Sequence, residues 1–193
     1  MKRKCYFFKY YSLNTCIEKL FLKEVITYPT ESVFAFGCDP DSYLSTLKLL
    51  KIKKRIKNKG FVLVASTYNQ IEPYILEKKI SFIKKKILFF HWPGNTTFLL
   101  PARSTVPEWI TGDSSFVAFR ISRHYLIQRL CNGFGKPIIS TSANISNHPP
   151  CRNKKELYTQ FGSKIIFLDG KLGLYSKPSK ILNLITGEIV RNG

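Results

Sequence analysis

The sequence predicts an α/β protein, a single-domain twisted sheet of mixed parallel and antiparallel strands with helices on its faces. Three observations carry this. Short apolar runs rich in β-branched and aromatic residues alternate with segments of helical apolar spacing, the pattern of strands covered by helices. The C-terminal stretch SKILNLITGEIVRNG reads as a hairpin turned at Thr186-Gly187, which adds antiparallel pairing. The 193 residues, 44% of them hydrophobic, suffice for one domain spanning 1–193 with a real core and a small-molecule pocket. No repeat, low-complexity tract or long linker marks a boundary.

Thr15-Cys-Ile-Glu18 has the form of a capping box, and Ile17, Leu20 and Phe21 follow at helical spacing, predicting a helix near 15–23. VITY (25–28) is a strand stopped by Pro29. After Asp39-Pro-Asp-Ser42, the spacing of Leu44, Leu47 and Leu50 predicts a second helix. Its far end, KIKKRIKNKG, is strongly basic, which suits a helix C-terminus. FVLVAS (61–66) is a buried strand, and 67–90 holds helical segments interrupted near Pro73 that end in the turn WPGN (92–95). Strands TTFLLPA (96–102) and FVAFRIS (116–122) flank a loop containing Pro and Gly. The helix YLIQRLCNGFG (125–135) stops at glycines and delivers the strand PIIST. Asn153 and Glu156 can cap a further helix before KIIFLDG (164–170).

The 31 Lys+Arg against 12 Asp+Glu give a formal charge of +19, which favours anionic partners. Lysine enrichment beside plentiful Ile, Phe, Asn and Tyr is also what an AT-biased genome writes onto any surface. Lys84 to Lys86 and Lys154–Lys155 are therefore assigned to solvated helix faces. No apolar run approaches the roughly 18 residues of a membrane span. The start MKRKCYFFKYYSL is basic and aromatic, but Lys9 interrupts its apolar part and no small-residue cleavage site follows. The five cysteines (5, 16, 38, 131 and 151) form no C-x-x-C pair, and His91, His124 and His148 are dispersed. A disulfide framework and a protein metal site are not expected, and the protein reads as cytoplasmic.

In open α/β sheets ligands gather beyond strand ends. Three stretches qualify: YPTES (28–32), the basic segment Lys53-Lys54-Arg55 with Lys57 and Lys59, and STSAN (140–144). Taken singly, each has a plain structural explanation: a turn with a cap, a frayed basic helix end, and a strand-to-helix junction. No G-x-x-x-x-G-K-[ST] or G-x-G-x-x-G occurs, so a nucleotide would not sit on a P-loop or Rossmann turn. G-x-S-x-G is absent and no Asp-His pair stands beside these serines, which argues against a serine nucleophile.

Together YPTES, FGCDPDS, LKIKKRIKNKG, WPGNTTFLLPA, VAFRIS and GKPIISTSANISNHPPC, in this order, resemble the YrdC/TsaC-type threonylcarbamoyl-adenylate synthases over about residues 14–193. The resemblance implies a twisted α/β sheet with a large basic cavity. It implies an enzyme joining L-threonine, bicarbonate or CO₂, and ATP into threonylcarbamoyl-adenylate, for N6-threonylcarbamoylation of adenosine 37 in tRNAs reading codons that begin with A. The family signature of Lys-x-Arg with Ser-x-Asn matches Lys53, Arg55, Ser142 and Asn144, with Lys53 and Arg55 as catalytic candidates. Lys59, Ser140 and Arg191 join them at the ATP site, and Thr30 and Arg120 fall at the threonine site. Mg²⁺ would be carried by ATP, with Glu31 orienting backbone and not serving as a ligand. The product would pass to a separate tRNA threonylcarbamoyl-transferase complex, with direct tRNA contact possible in principle.

Two positions depart from the family pattern: Asn95 stands for proline in WPGN, and Tyr125 for proline after R-I-S-R-H. A double-stranded RNA or tRNA-binding module without catalysis accounts for the charge equally well. It gives no reason for Ser, Thr and Asn to accompany the cations at separate strand ends. A sugar-phosphate lyase would need a clustered acidic metal site, which the sequence does not offer.

Overall fold

The computed structural model describes residues 9–56 and 59–193, so Cys5, Lys57 and the reading of the first eight residues lie outside it. Along the chain come β1 (Tyr10–Tyr11), α1 (Leu13–Phe21), β2 (Ile26–Pro29), β3 (Phe34–Cys38), α2 (Tyr43–Lys53) and β4 (Val62–Ala65). Then follow α3 (Phe82–His91), β5 (Thr96–Pro101), α4 (Glu108–Thr111), β6 (Phe116–Ile121), α5 (Tyr125–Phe134) and β7 (Ile138–Ser142). The chain closes with α6 (Lys154–Phe161), β8 (Ile166–Leu168), β9 (Lys180–Asn183) and β10 (Ile189–Arg191). The ten strands of the described residues join one mixed sheet in the order β1-β8-β2-β3-β7-β4-β6-β5-β9-β10. The expected hairpin is β9–β10, and Gly187 takes the positive φ of 79° that its turn requires.

Helix boundaries follow caps. α1 begins earlier than the capping-box pattern suggests: Ser12, in extended backbone, accepts the Thr15 amide, and Thr15 becomes an interior residue. Ser42, Ser81 and Asn153 cap α2, α3 and α6 in the same way. Residues 67–90 hold two short 3₁₀ turns, Glu72–Tyr74 and Glu77–Lys79, before α3. Three elements were not anticipated. β1 is two residues long, α4 is a single turn within the expected loop, and β3 is buried at every position.

The sheet separates two cores. Leu20 of α1 and Ile127, Leu130 and Phe134 of α5 pack with Ile26, Tyr28 and Ile138 on one face. Leu49 of α2, Leu88 of α3 and Leu157 of α6 pack with Phe36, Leu63 and Phe119 on the other. Strand alternation explains the division, since Ala35 falls in the first cluster and its neighbours Phe34 and Phe36 in the second. The α1/α5 pair covers part of its face, reaching β4 where Cys131 Sγ donates to the Val64 carbonyl, and the rest of that face stays open. Among the described residues, no helix is long and apolar enough to cross a membrane.

Candidate active site

The open part of that face forms a cavity of about 410 Å³, within the range of small-molecule sites. Its floor follows from register. Ala35 pairs with Ser142, Val62 with Ser140, and Val64 with Arg120, so these side chains project to one side. Small residues at Ala35, Ser140 and Ser142 keep the floor low. Tyr28, which pairs with Ala35 on the same face, donates to Ser140 Oγ at 2.9 Å.

Three guanidinium groups line the walls, those of Arg55, Arg120 and Arg191, and no carboxylate-bearing residue lines the cavity among the described residues. Arg55 follows α2, lies over the Phe61 ring at 4.6 Å, and donates to the carbonyls of Lys59 and Gly60 at 3.0 and 2.8 Å. Its buried Nε has no protein partner. Burial holds its pKa below the ordinary arginine value, although a guanidinium stays charged in proteins. Arg191 is held against Ser179, donating to its carbonyl at 2.7 Å and to its hydroxyl at 3.2 Å. Burial, then the nearby Arg120 charge, lowers its pKa.

Arg120 is balanced from behind by Glu31, whose Oε2 lies 2.6 Å from its Nη1. Glu31 Oε1 accepts from Ser122 at 2.6 Å. Burial alone would raise the Glu31 pKa, but the Arg120 charge and the Ser122 hydrogen bond outweigh it and hold the carboxyl below its usual range. The carboxylate therefore anchors a wall residue, a stronger role than the backbone orientation expected for it. Gly173 closes behind: a Cβ there would stand 2.7 Å from Glu31 backbone atoms, and its amide donates to the Thr30 carbonyl at 2.9 Å. Thr30 lines the cavity while its hydroxyl donates to the Val33 carbonyl at 2.7 Å, closing the PTES turn.

Lys53 occupies a place that its basic neighbourhood conceals. It is 3% exposed, and its ammonium sits 5.9 Å from the Phe36 ring centroid on the opposite face of the sheet. From there it donates to the Ser142 carbonyl, to the Asn144 carbonyl at 3.0 Å and to Asn144 Oδ1 at 3.4 Å. The Ser146 amide donates to the Lys53 carbonyl at 2.8 Å, closing the clamp. Asn144 also accepts the Ser142 hydroxyl at 2.6 Å and donates to the Ile145 and His148 carbonyls. Burial, then Arg55, pushes the Lys53 pKa down to about 8.

The structure thus brings Thr30, Arg55, Arg120, Ser140, Ser142 and Arg191 to one cavity. Lys53 and Asn144 stand behind it as supports, and the exposed Lys59 side chain is not among its lining residues. Of the two departures, Asn95 enters the wall with Oδ1 3.5 Å from Arg120, while Tyr125 is an exposed first residue of α5. Ser179, Asn95 and Glu31 carry no sequence signal for these contacts, which arise only when distant strands meet. Among the described residues no group of three acidic, His or Cys side chains could hold a metal ion.

A mixed sheet with arginines and short hydroxyls around one exposed face defines a class of α/β proteins built to take an anionic ligand at strand ends. The family model Sua5_yciO_yrdC, described as "Telomere recombination", matches residues 19–193, and the chain belongs to that family. It is 53% identical over 182 residues to a threonylcarbamoyl-AMP synthase of Buchnera aphidicola subsp. Baizongia pistaciae, covering 94% of this chain and 98% of that one. To a threonylcarbamoyl-AMP synthase of Yersinia pestis it is 45% identical over 181 residues, covering 94% and 95%. Among solved structures, P. abyssi Sua5 complexed with L-threonine superposes with a TM-score of 0.82 at 24% identity over 89% of this chain. This chain spans about half of that one, 50%. E. coli YciO superposes with a TM-score of 0.80 at 22% identity, covering 94% of this chain and 88% of YciO.

Proposed function

We propose that the protein is a threonylcarbamoyl-AMP synthase, which converts L-threonine, bicarbonate or CO₂, and ATP into L-threonylcarbamoyladenylate and pyrophosphate. The product serves N6-threonylcarbamoylation of adenosine 37 in tRNAs reading codons that begin with A, through a separate transferase complex. One observation carries the reading: Arg55, Arg120 and Arg191 meet Ser140 and Ser142 in a cavity that no carboxylate lines among the described residues. Relatives named for this activity match nearly the whole chain.

The threonine amine attacks CO₂ and loses a proton, giving a carbamate. A carbamate oxygen then bonds the α-phosphorus of ATP as the bond to the bridging oxygen of pyrophosphate breaks. Every partner is anionic, so the protein works by placement and electrostatics, without a covalent intermediate. The Arg55 and Arg191 guanidinium groups offset phosphate charge. Ser142 and Ser140 offer hydroxyls to phosphate or ribose oxygens. Arg120, oriented by Glu31, takes the threonine carboxylate beside the Thr30 turn. Mg²⁺ would be held by the triphosphate itself and would supply charge neutralisation there.

The test is incubation with ATP, labelled bicarbonate and several amino acids in turn. The expected result is a labelled adenylate with threonine. Threonine-independent turnover, or salt-dependent RNA binding without pyrophosphate release, overturns the assignment.

Ser142→Ala is expected to weaken ATP binding by roughly tenfold, about 1.4 kcal/mol, with little change in Tm because the hydroxyl is only partly buried. Calorimetric titration against thermal unfolding separates the two. ATP affinity is also expected to fall as pH rises through about 8. Below that value Lys53 is charged and can donate to all three oxygens; above it one donor is lost and the loop slackens. Titration at pH 7 and pH 9 reads the effect, and Lys53→Met should flatten it. Affinity is the proper readout because the threonine amine titrates in the same region.

A further inference from the structure

We propose that a second cavity, on the opposite face of the sheet, binds a small organic anion with an apolar body, of the class of medium-chain or aromatic carboxylates. The cavity has a volume of about 510 Å³ and lies between the C-terminal ends of α2 and α6. Val25, Phe36, Ile52 and Phe161 give it an apolar lining. Phe36 and Ala35 are adjacent on β3 and face opposite sides, so this space is distinct from the arginine-lined one.

Charge and hydrogen bonding specify the occupant. Lys48, Lys51 and Lys54 from the end of α2 and Lys164 from across the cavity all line it. The one lining carboxylate, Glu24, is taken by Lys48 at 2.6 Å. Lys51, Lys54 and Lys164 have no ion pair among the described residues. At the floor Thr27 is 1% exposed, and its Oγ1 has no hydrogen-bond partner, a rare and costly state for a buried hydroxyl. Gln160 does not supply one, since its amide is spent on the Ile145 amide and the Pro149 carbonyl. A bare inorganic anion would leave the apolar lining uncovered, and a neutral hydrocarbon would leave three lysines without counter-charge. An amphipathic anion satisfies both, with its carboxylate between the lysines accepting from the Thr27 hydroxyl and its body over Phe36 and Ile52.

The test uses the full chain and octanoate as probe, followed by calorimetric titration with and without saturating ATP. Expected is one saturable site whose affinity ATP leaves unchanged and for which inorganic phosphate competes poorly. Lys51→Glu combined with Lys164→Glu should weaken octanoate by about tenfold. Thr27→Val should weaken it several-fold while Tm holds or rises, because an orphaned hydroxyl is removed. Absence of saturable binding, displacement by ATP, phosphate binding as tightly as octanoate, or affinity untouched by the lysine or Thr27 changes would each overturn the proposal.

Discussion

Replacing Lys53 with methionine is expected to lower kcat/KM for adenylate formation by about 100-fold or more, the scale of losing organised electrostatic groups at a charged transition state. The loss would come through the loop. Lys53 ties the carbonyls of Ser142 and Asn144 from behind the sheet, and it shares Asn144 Oδ1 with the hydroxyl of Ser142, which lines the cavity. Methionine keeps the bulk over Phe36 but leaves the Ser142 carbonyl with the Asn144 amide alone and takes the ammonium from the Asn144 carbonyl in a buried place, at about 1–3 kcal/mol. A fall in Tm of several degrees should therefore accompany the activity loss, where the basic sequence context alone would suggest none. Near-normal turnover in Lys53→Met would show that Asn144 holds the loop unaided.

That residue also marks where sequence reasoning reaches its limit. KIKKRIKNKG reads as a solvated helix end because a run of cations normally is one. Only the tertiary fold reveals that Lys53 turns inward while Lys51 and Lys54 stay out. Most strands were legible because β4 is a continuous apolar run and β5, β6 and β7 each contain one, bounded by turn residues. β3 was not, since Phe34–Cys38 is short, carries Gly37 inside, and merges into the polar PTES and DPDS stretches flanking it. The lining residues Thr30, Arg55, Arg120, Ser140, Ser142 and Arg191 were found by motif resemblance. Their convergence depends on strand order, which places β7 between β3 and β4 and β6 beside β4. The partners that tune them, Glu31 on Arg120 and Ser179 on Arg191, belong to pairings that no local pattern encodes.

Sheet topology gives the two faces different work. One face is left partly open, so short hydroxyl residues and arginines meet there, and the other is packed by α2, α3 and α6. α2 is the element that connects them. Its end carries Lys53 to the back of the nucleotide loop, Arg55 follows into the cavity wall, and Lys48, Lys51 and Lys54 line the opposite cavity. A helix capped by Ser42 and fixed through Leu49 and Leu50 in the core places all five cations with one packing arrangement.

Glu31→Ala is expected to be the most destabilising single change at the site, by about 3–5 kcal/mol, the usual cost of leaving one member of a buried ion pair alone. Both side chains are nearly enclosed, at 7% exposure for Glu31 and 8% for Arg120. Acid dependence provides a second readout. The folded Glu31 carboxyl titrates below its unfolded value, so the unfolded chain binds the proton more readily. The stabilisation is complete above the unfolded pKa of about 4.3 and is lost as pH falls through the folded value. Wild-type protein should therefore lose stability on the acid side more steeply than the variant. Replacing both partners, with Glu31→Leu and Arg120→Met, should restore much of the Tm because neither charge is then stranded. It should not restore threonine-dependent turnover, since the proposed carboxylate ligand is gone. A double variant that regained both would remove Arg120 from the threonine site and leave the pair a purely structural role.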